Sequence, residues 1–200
     1  MKLESKPGKG NKIHISVDGE YATTVDADFW YSCGYSDGED LDDDDLAEFL
    51  YETDTRRAYN KAVGLLAVRD HGRVELIRKL AAFFGRDIAE SAADLLTEQG
   101  FIDDEAYAQK LAESLFRRKK YAPERIRREL TLRGIDRETA EYAVSMLEAD
   151  ERESIESLLE TKFVNSLSDE KGVRRTFNAL IRMGYDFVDV RNVIRNYIED

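Results

Sequence analysis

The chain has 200 residues, of which 42% are hydrophobic and 36% charged, enough for one to two domains with cores that need no covalent staples. No run approaches the ~18 apolar residues of a membrane span, and the N-terminus lacks the apolar stretch of a secretory signal. The net charge of −12 opposes nucleic-acid binding by the surface as a whole, because such affinity comes mainly from neutralising phosphates. One cysteine, Cys33, rules out an intrachain disulfide and fits a reducing cytoplasm; two histidines, His14 and His71, leave a Cys/His zinc site short of ligands.

Residues 1–11 are rich in Lys and Gly and read as a disordered tail. Residues 12–55 form an acidic segment that opens with a hairpin. Ile13, Ile15 and Val17 alternate with polar neighbours, Asp18-Gly19 signals a turn, and Tyr21, Thr23 and Val25 continue the alternation. Pairing Val17 with Tyr21, Ile15 with Thr23 and Ile13 with Val25 puts the apolar set on one face, with a three-residue connection at 18–20. His14 then lies on the other face. Asp26 or Asp28 caps a short helix through Phe29-Trp30-Tyr31 that Gly34 ends. Trp30 could stack on a base; packing against the hairpin is the expectation. Asp42-Asp43-Asp44-Asp45 lacks the spacing of a calcium loop and reads as the N-terminus of a helix carrying Leu46, Phe49 and Leu50, where the helix dipole favours carboxylates.

From residue 56 the chain is helical and repeats every 50 residues. Leu80, Leu130 and Leu180 coincide, each followed by a glycine turn (Gly85, Gly134, Gly184) with an Asp two residues on that suits the next N-cap (Asp87, Asp136, Asp186). An amphipathic helix lies on either side; Val190, Val193, Ile194 and Tyr197 mark the last one. The expected fold is mainly α: three tandem three-helix repeats at 56–102, 103–150 and 151–200, an elongated array preceded by the small N-terminal β-hairpin and short-helix segment.

Charge is uneven along this frame. Residues 1–55 carry 4 basic and 15 acidic side chains, whereas residues 117–133 carry 8 basic and 2 acidic. That island holds Arg117, Arg118, Lys119, Lys120, Arg125, Arg127, Arg128 and Arg133. Helical steps put Ala122, Ile126 and Leu130 on one face and point Arg125, Arg127 and Arg128 away from it. The island is a candidate contact for an acidic partner; ordinary solvated pairs such as Arg125 with Glu129 are the competing reading. Arg191 and Arg195 form a smaller stripe.

Four stretches resemble motifs of the RecX family: Leu65–Leu76 its L-x-x-R-x-R-S-x-x-E-L, Gln99–Ala108 its G-[LF]-[IL]-[DN]-D-x-x-[FY]-A, Arg125–Ile135 its I-x-x-E-L-x-x-[KR]-G-[IV], and Arg182–Tyr185 its R-x-G-[FY]. They occur in order on the 50-residue repeat, and the resemblance covers residues 12–198. Three positions depart from it: His71 and Gly72 replace an Arg and a Ser, and Ala122 replaces a common Gly. A Gly in place of a Ser N-cap costs a helix only about a few tenths of a kcal/mol.

The resemblance implies a regulator of the RecA recombinase, not an enzyme: a monomeric cytoplasmic protein without cofactor or metal. It would lie in the groove of the RecA–single-stranded DNA filament and inhibit ATP hydrolysis, strand exchange and filament growth, in DNA recombination and repair and in the SOS response. Its contact with single-stranded DNA would be weak or indirect. No phosphate-binding glycine loop or nucleophile elbow is present in the sequence. The alternatives are an autonomous DNA-binding helical protein using the 117–133 island and a generic helical adaptor.

Overall fold

A computed structural model of the chain describes residues 1–199. The N-terminal alternation builds a three-stranded antiparallel sheet, β1 (Leu3–Pro7), β2 (Lys12–Val17) and β3 (Glu20–Asp26), in the order β1-β2-β3. The first strand lies inside residues 1–11, expected as a disordered tail. It is held by pairing from Leu3↔Val17 to Pro7↔Ile13, by complete burial of Leu3, and on its outer side by Leu3 N–H donating to Glu39 O at 2.8 Å. The hairpin register also differs from expectation. Ile13 faces Val25 and Ile15 faces Thr23, but Val17 faces Glu20 and Ser16 faces Tyr21. Ala22 is the extra residue of a bulge, and the connection is the two-residue turn Asp18-Gly19, with φ of 49° and 83°.

The inner sheet face, with Leu3, Ile13, Ile15 and Val25, packs with Trp30, Leu41 and Phe49. Trp30 ends α1 (Ala27–Trp30) and meets Phe49 edge-on at 6.2 Å, so its ring fills the core and is withdrawn from any base. Asp26 precedes α1 without a side-chain cap bond and pairs with Lys12 instead. The acidic run caps α2 (Asp43–Leu66): Asp42 accepts from the N–H groups of Asp44 and Asp45, and Asp45 accepts from Asp42 N–H. This helix runs without a break through residues 55 and 56, across the boundary expected between the acidic segment and the first repeat.

The remaining helices complete three sets of three. The first set is α2, α3 (Arg73–Phe84) and α4 (Arg86–Glu98). The second is α5 (Asp104–Ser114), extended by a π-helical turn at Leu115–Lys119, then α6 (Pro123–Leu132) and α7 (Arg137–Ser145). The third is α8 (Glu151–Thr161), α9 (Glu170–Arg182) and α10 (Phe187–Glu199). Leu80, Leu130 and Leu180 are all fully buried, each worth roughly 1.5–3 kcal/mol relative to exposure. Asp103, Asp136, Asp150 and Asp169 each accept a backbone N–H three residues on. In the first set Gly85 itself stands at the N-cap of α4, and Asp87 falls in its first turn.

Contacts divide the chain into two compact units, one of residues 1–69 with 77–99, the other of residues 70–76 with the chain from Gly100 onward. The start of α3 thus packs with the second set. Arg73 N–H donates to Asp104 Oδ1 at 2.8 Å, and Tyr107 Oη donates to Glu75 Oε2 at 3.2 Å. At position 72 the Ser of the family motif would have supplied a cap; the carboxylate of Asp104 supplies one from α5. The joint recurs fifty residues later. A Cβ on Gly134 (φ 89°) would stand 2.4 Å from Val74 Cβ, and one on Gly184 (φ 97°) 2.4 Å from Arg125 Cβ. In both joints the turn after the middle helix presses on the first turn of the preceding middle helix.

Candidate partner-binding surface

Two local features shape the basic island. The π-turn ends at Lys120, in the left-handed region at φ 56°. Lys120 O accepts from Tyr185 Oη at 2.9 Å, and Ala122 N–H donates to Met183 O at 3.0 Å. The third set therefore fixes the end of the cationic run from below, and the C-terminal end of α9 lies beside it. Burial of Tyr185 pushes its phenol up to about 12; the nearby Glu151 adds to the rise and a hydrogen bond with Ser154 opposes it.

Pro123 opens α6, and its buried stripe is Ala122, Ile126 and Leu130, as the helical steps require. The arginines opposite are less free than the sequence alone implies. Arg125 pairs with Glu129 at 2.7 Å, lies 5.4 Å from the Tyr121 ring centre, and is half-buried under Gly184. Arg127 pairs with Glu124, and its Nε is 3.0 Å from Glu141. Arg128 shares Glu124 at 3.0 Å, and Arg117 pairs with Glu113 at 2.7 Å. Arg133 is half-buried, with its Nε lacking a hydrogen-bond partner. Among the described residues, Arg118, Lys119 and Lys120 are exposed and make no ion pair, and the same holds for Arg191 and Arg195 on α10.

A stripe absent from the sequence-based candidates lies on α9. Lys171, Arg174, Arg175 and Arg182 are exposed, the last three at three, four and eleven residues from the first, with Asn178 between them, and none forms an ion pair among the described residues. Gly172, Thr176 and Leu180 are the buried face. A helix rises ~1.5 Å per residue, so the stripe is ~16 Å long. The spacing was readable; the acidic average of residues 134–200 obscured it. His71, by contrast, is 4% exposed and cannot present its ring as the Arg of the family motif would. Beside α6, burial and the charges of Asp189 and Asp186 raise the Glu151 carboxyl, with Arg127 opposing them. The arrangement offers exposed, uncompensated cations on helices held by a hydrophobic core, suited to an extended anionic surface. No helix among the described residues is long and apolar enough to cross a membrane.

Residues 103–144, which span α5, α6 and all but the last residue of α7, match the family model described as RecX, second three-helix domain. The chain is 24% identical over 200 residues to the regulatory protein RecX of Clostridioides difficile, covering 98% of this chain and 94% of that one. It is 33% identical to the RecX proteins of Xanthomonas axonopodis pv. citri and Salmonella paratyphi A, covering 70% and 72% of this chain and 87% and 93% of theirs. A crystal structure of a regulatory protein RecX superposes with a TM-score of 0.69 at 21% identity, over 98% of this chain and 97% of the other. That of RecX from Lactobacillus salivarius gives 0.59 at 22% identity, over 72% and 96%. With the repeat, its joints and its motifs in place, the chain belongs to the RecX family of regulatory proteins.

Proposed function

We infer that the chain binds the filament of RecA on single-stranded DNA and restrains it, lowering ATP hydrolysis, strand exchange and filament growth. It acts as a modulator and not as an enzyme. The observation that supports this reading best is the unpaired cations of the π-turn and α9 on a chain of net charge −12. Such a molecule is attracted locally and repelled globally by DNA, so a protein partner must supply the rest of the affinity. Arg118, Lys119, Lys120, Lys171, Arg174 and Arg175 face the filament; Arg125 holds the joint between the two sets that carry them.

Co-sedimentation with RecA filaments tests this. Arg174→Glu with Arg175→Glu should cut retention about tenfold at moderate salt, the effect of losing and reversing a few exposed charges. Undiminished retention of that variant would remove α9 from the contact. The basic stripe also favours a second reading, autonomous DNA binding, in which the chain alone shifts single-stranded DNA with a steep salt dependence.

A further inference from the structure

The N-terminal unit holds a second cationic feature, in the most acidic part of the chain. A cleft of about 320 Å³ lies between β3 and α2, lined by Thr24, Val25 and Asp26 on one side and by Thr53, Arg56, Arg57 and Lys61 on the other. Four of the cleft's side chains are cations, Lys12 included, against the single carboxylate of Asp26. Lys12 is paired with Asp26 at 2.6 Å and Arg57 with Asp54 at 2.9 Å. Arg56 and Lys61 have no carboxylate partner among the described residues. They lie over aromatic rings, Arg56 at 5.5 Å from Tyr59 and Lys61 at 4.0 Å from Phe83, which holds them in place and leaves their charge uncompensated.

The other wall is an open sheet edge. The outer side of β1 is covered by the 37–41 segment, through Leu3 with Glu39 and Gly38 and through Ser5 with Asp37. The outer side of β3 has no strand against it among the described residues. Thr53, 1% exposed in the cleft wall, has a hydroxyl without a hydrogen-bond partner. An unpaired edge offers alternating N–H and C=O groups, which a peptide main chain matches and a phosphate backbone does not.

We propose that this cleft receives an extended acidic peptide segment of another protein, added antiparallel or parallel to β3 as a fourth strand, with its carboxylates against Arg56 and Lys61. Charge complementarity selects this occupant. A nucleic-acid backbone would meet the same cations but has no alternating N–H and C=O groups to pair with the open edge of β3. A second copy of the chain would set Arg56 and Lys61 against the same cations.

The test uses the full chain and a short fluorescein-labelled peptide of alternating Thr and Glu. Anisotropy should show salt-sensitive binding, and hydrogen exchange should slow at the β3 amides from Tyr21 to Val25. Arg56→Glu with Lys61→Glu, both exposed, should weaken binding about tenfold. A backbone N-methylated peptide of the same sequence should fail to bind. Absence of peptide binding overturns the proposal. So does equal binding of the N-methylated peptide, which would reduce the site to charge. Displacement of the peptide by oligothymidylate at equal concentration would assign the cations to nucleic acid, and β3 protection that grows with protein concentration without peptide would assign the edge to a second copy; either result overturns it.

Discussion

Tyr185 shows how one side chain ties the fold to the candidate surface. Its hydroxyl donates to Lys120 O, the carbonyl at the end of the cationic run. Tyr185→Phe leaves that carbonyl without its partner and should cost ~1 kcal/mol, read as a lower urea midpoint. Burial favours the neutral phenol, so the folded-state value lies above the ordinary one near 10. The stabilisation is therefore complete below pH ~10 and is lost as pH rises from there toward 12. A phenolate absorbance titration should show one tyrosine ionising later than the others, and Tyr185→Phe should remove that late step. A titration unchanged by the substitution would contradict the assignment. Arg125 is read the same way: packed under Gly184 and paired with Glu129, it holds a joint. Arg125→Ala should lower stability more than the exposed Arg118→Ala, with thermal unfolding as the check.

The unit that repeats is the joint between one middle helix and the next glycine turn. At Gly184 a side chain meets both a φ of 97° and the Cβ of Arg125, so Gly184→Ala should cost about 1–3 kcal/mol. Gly64, inside α2 with open space around its Cβ position, is the opposite case: Gly64→Ala should stabilise by ~0.4–1 kcal/mol. Denaturant midpoints moving in opposite directions would bear this out; equal shifts would count against the joint. The fifty-residue period at Leu80, Leu130 and Leu180 was legible because burial and turn chemistry recur together. The joint itself was not, because Val74 and Arg125 share no chemistry, only the backbone position that the glycine presses on. β1 escaped notice because Leu3 is its only fully buried side chain and the rest of its hold is main-chain pairing. The hairpin register shifted at Ala22 because a bulge leaves the two-residue periodicity on both sides of it intact. On the surface, local charge density found the 117–133 island; the competing Arg125–Glu129 pair forms, Glu113 and Glu124 take up further arginines at helical spacing, and only the Arg127–Glu141 pair needed the fold. The α9 stripe needed helical spacing instead of a window average.

Over the whole molecule, charge is segregated along a chain that is acidic overall, and the proposed contact rests on that segregation. The acidic N-terminal segment caps α2 and builds a sheet; exposed cations without ion pairs among the described residues gather on the π-turn and α9, with smaller groups on α10 and α2. Autonomous binding by those cations would be salt-sensitive and weak, whereas docking on a filament that presents both protein and DNA would add protein contacts to them. The most direct test is single-stranded-DNA-dependent ATP hydrolysis by the cognate RecA, titrated with this chain below one molecule per RecA monomer. The account predicts inhibition at these low ratios, relieved by Arg174→Glu with Arg175→Glu. Undiminished hydrolysis with the chain in excess would contradict it.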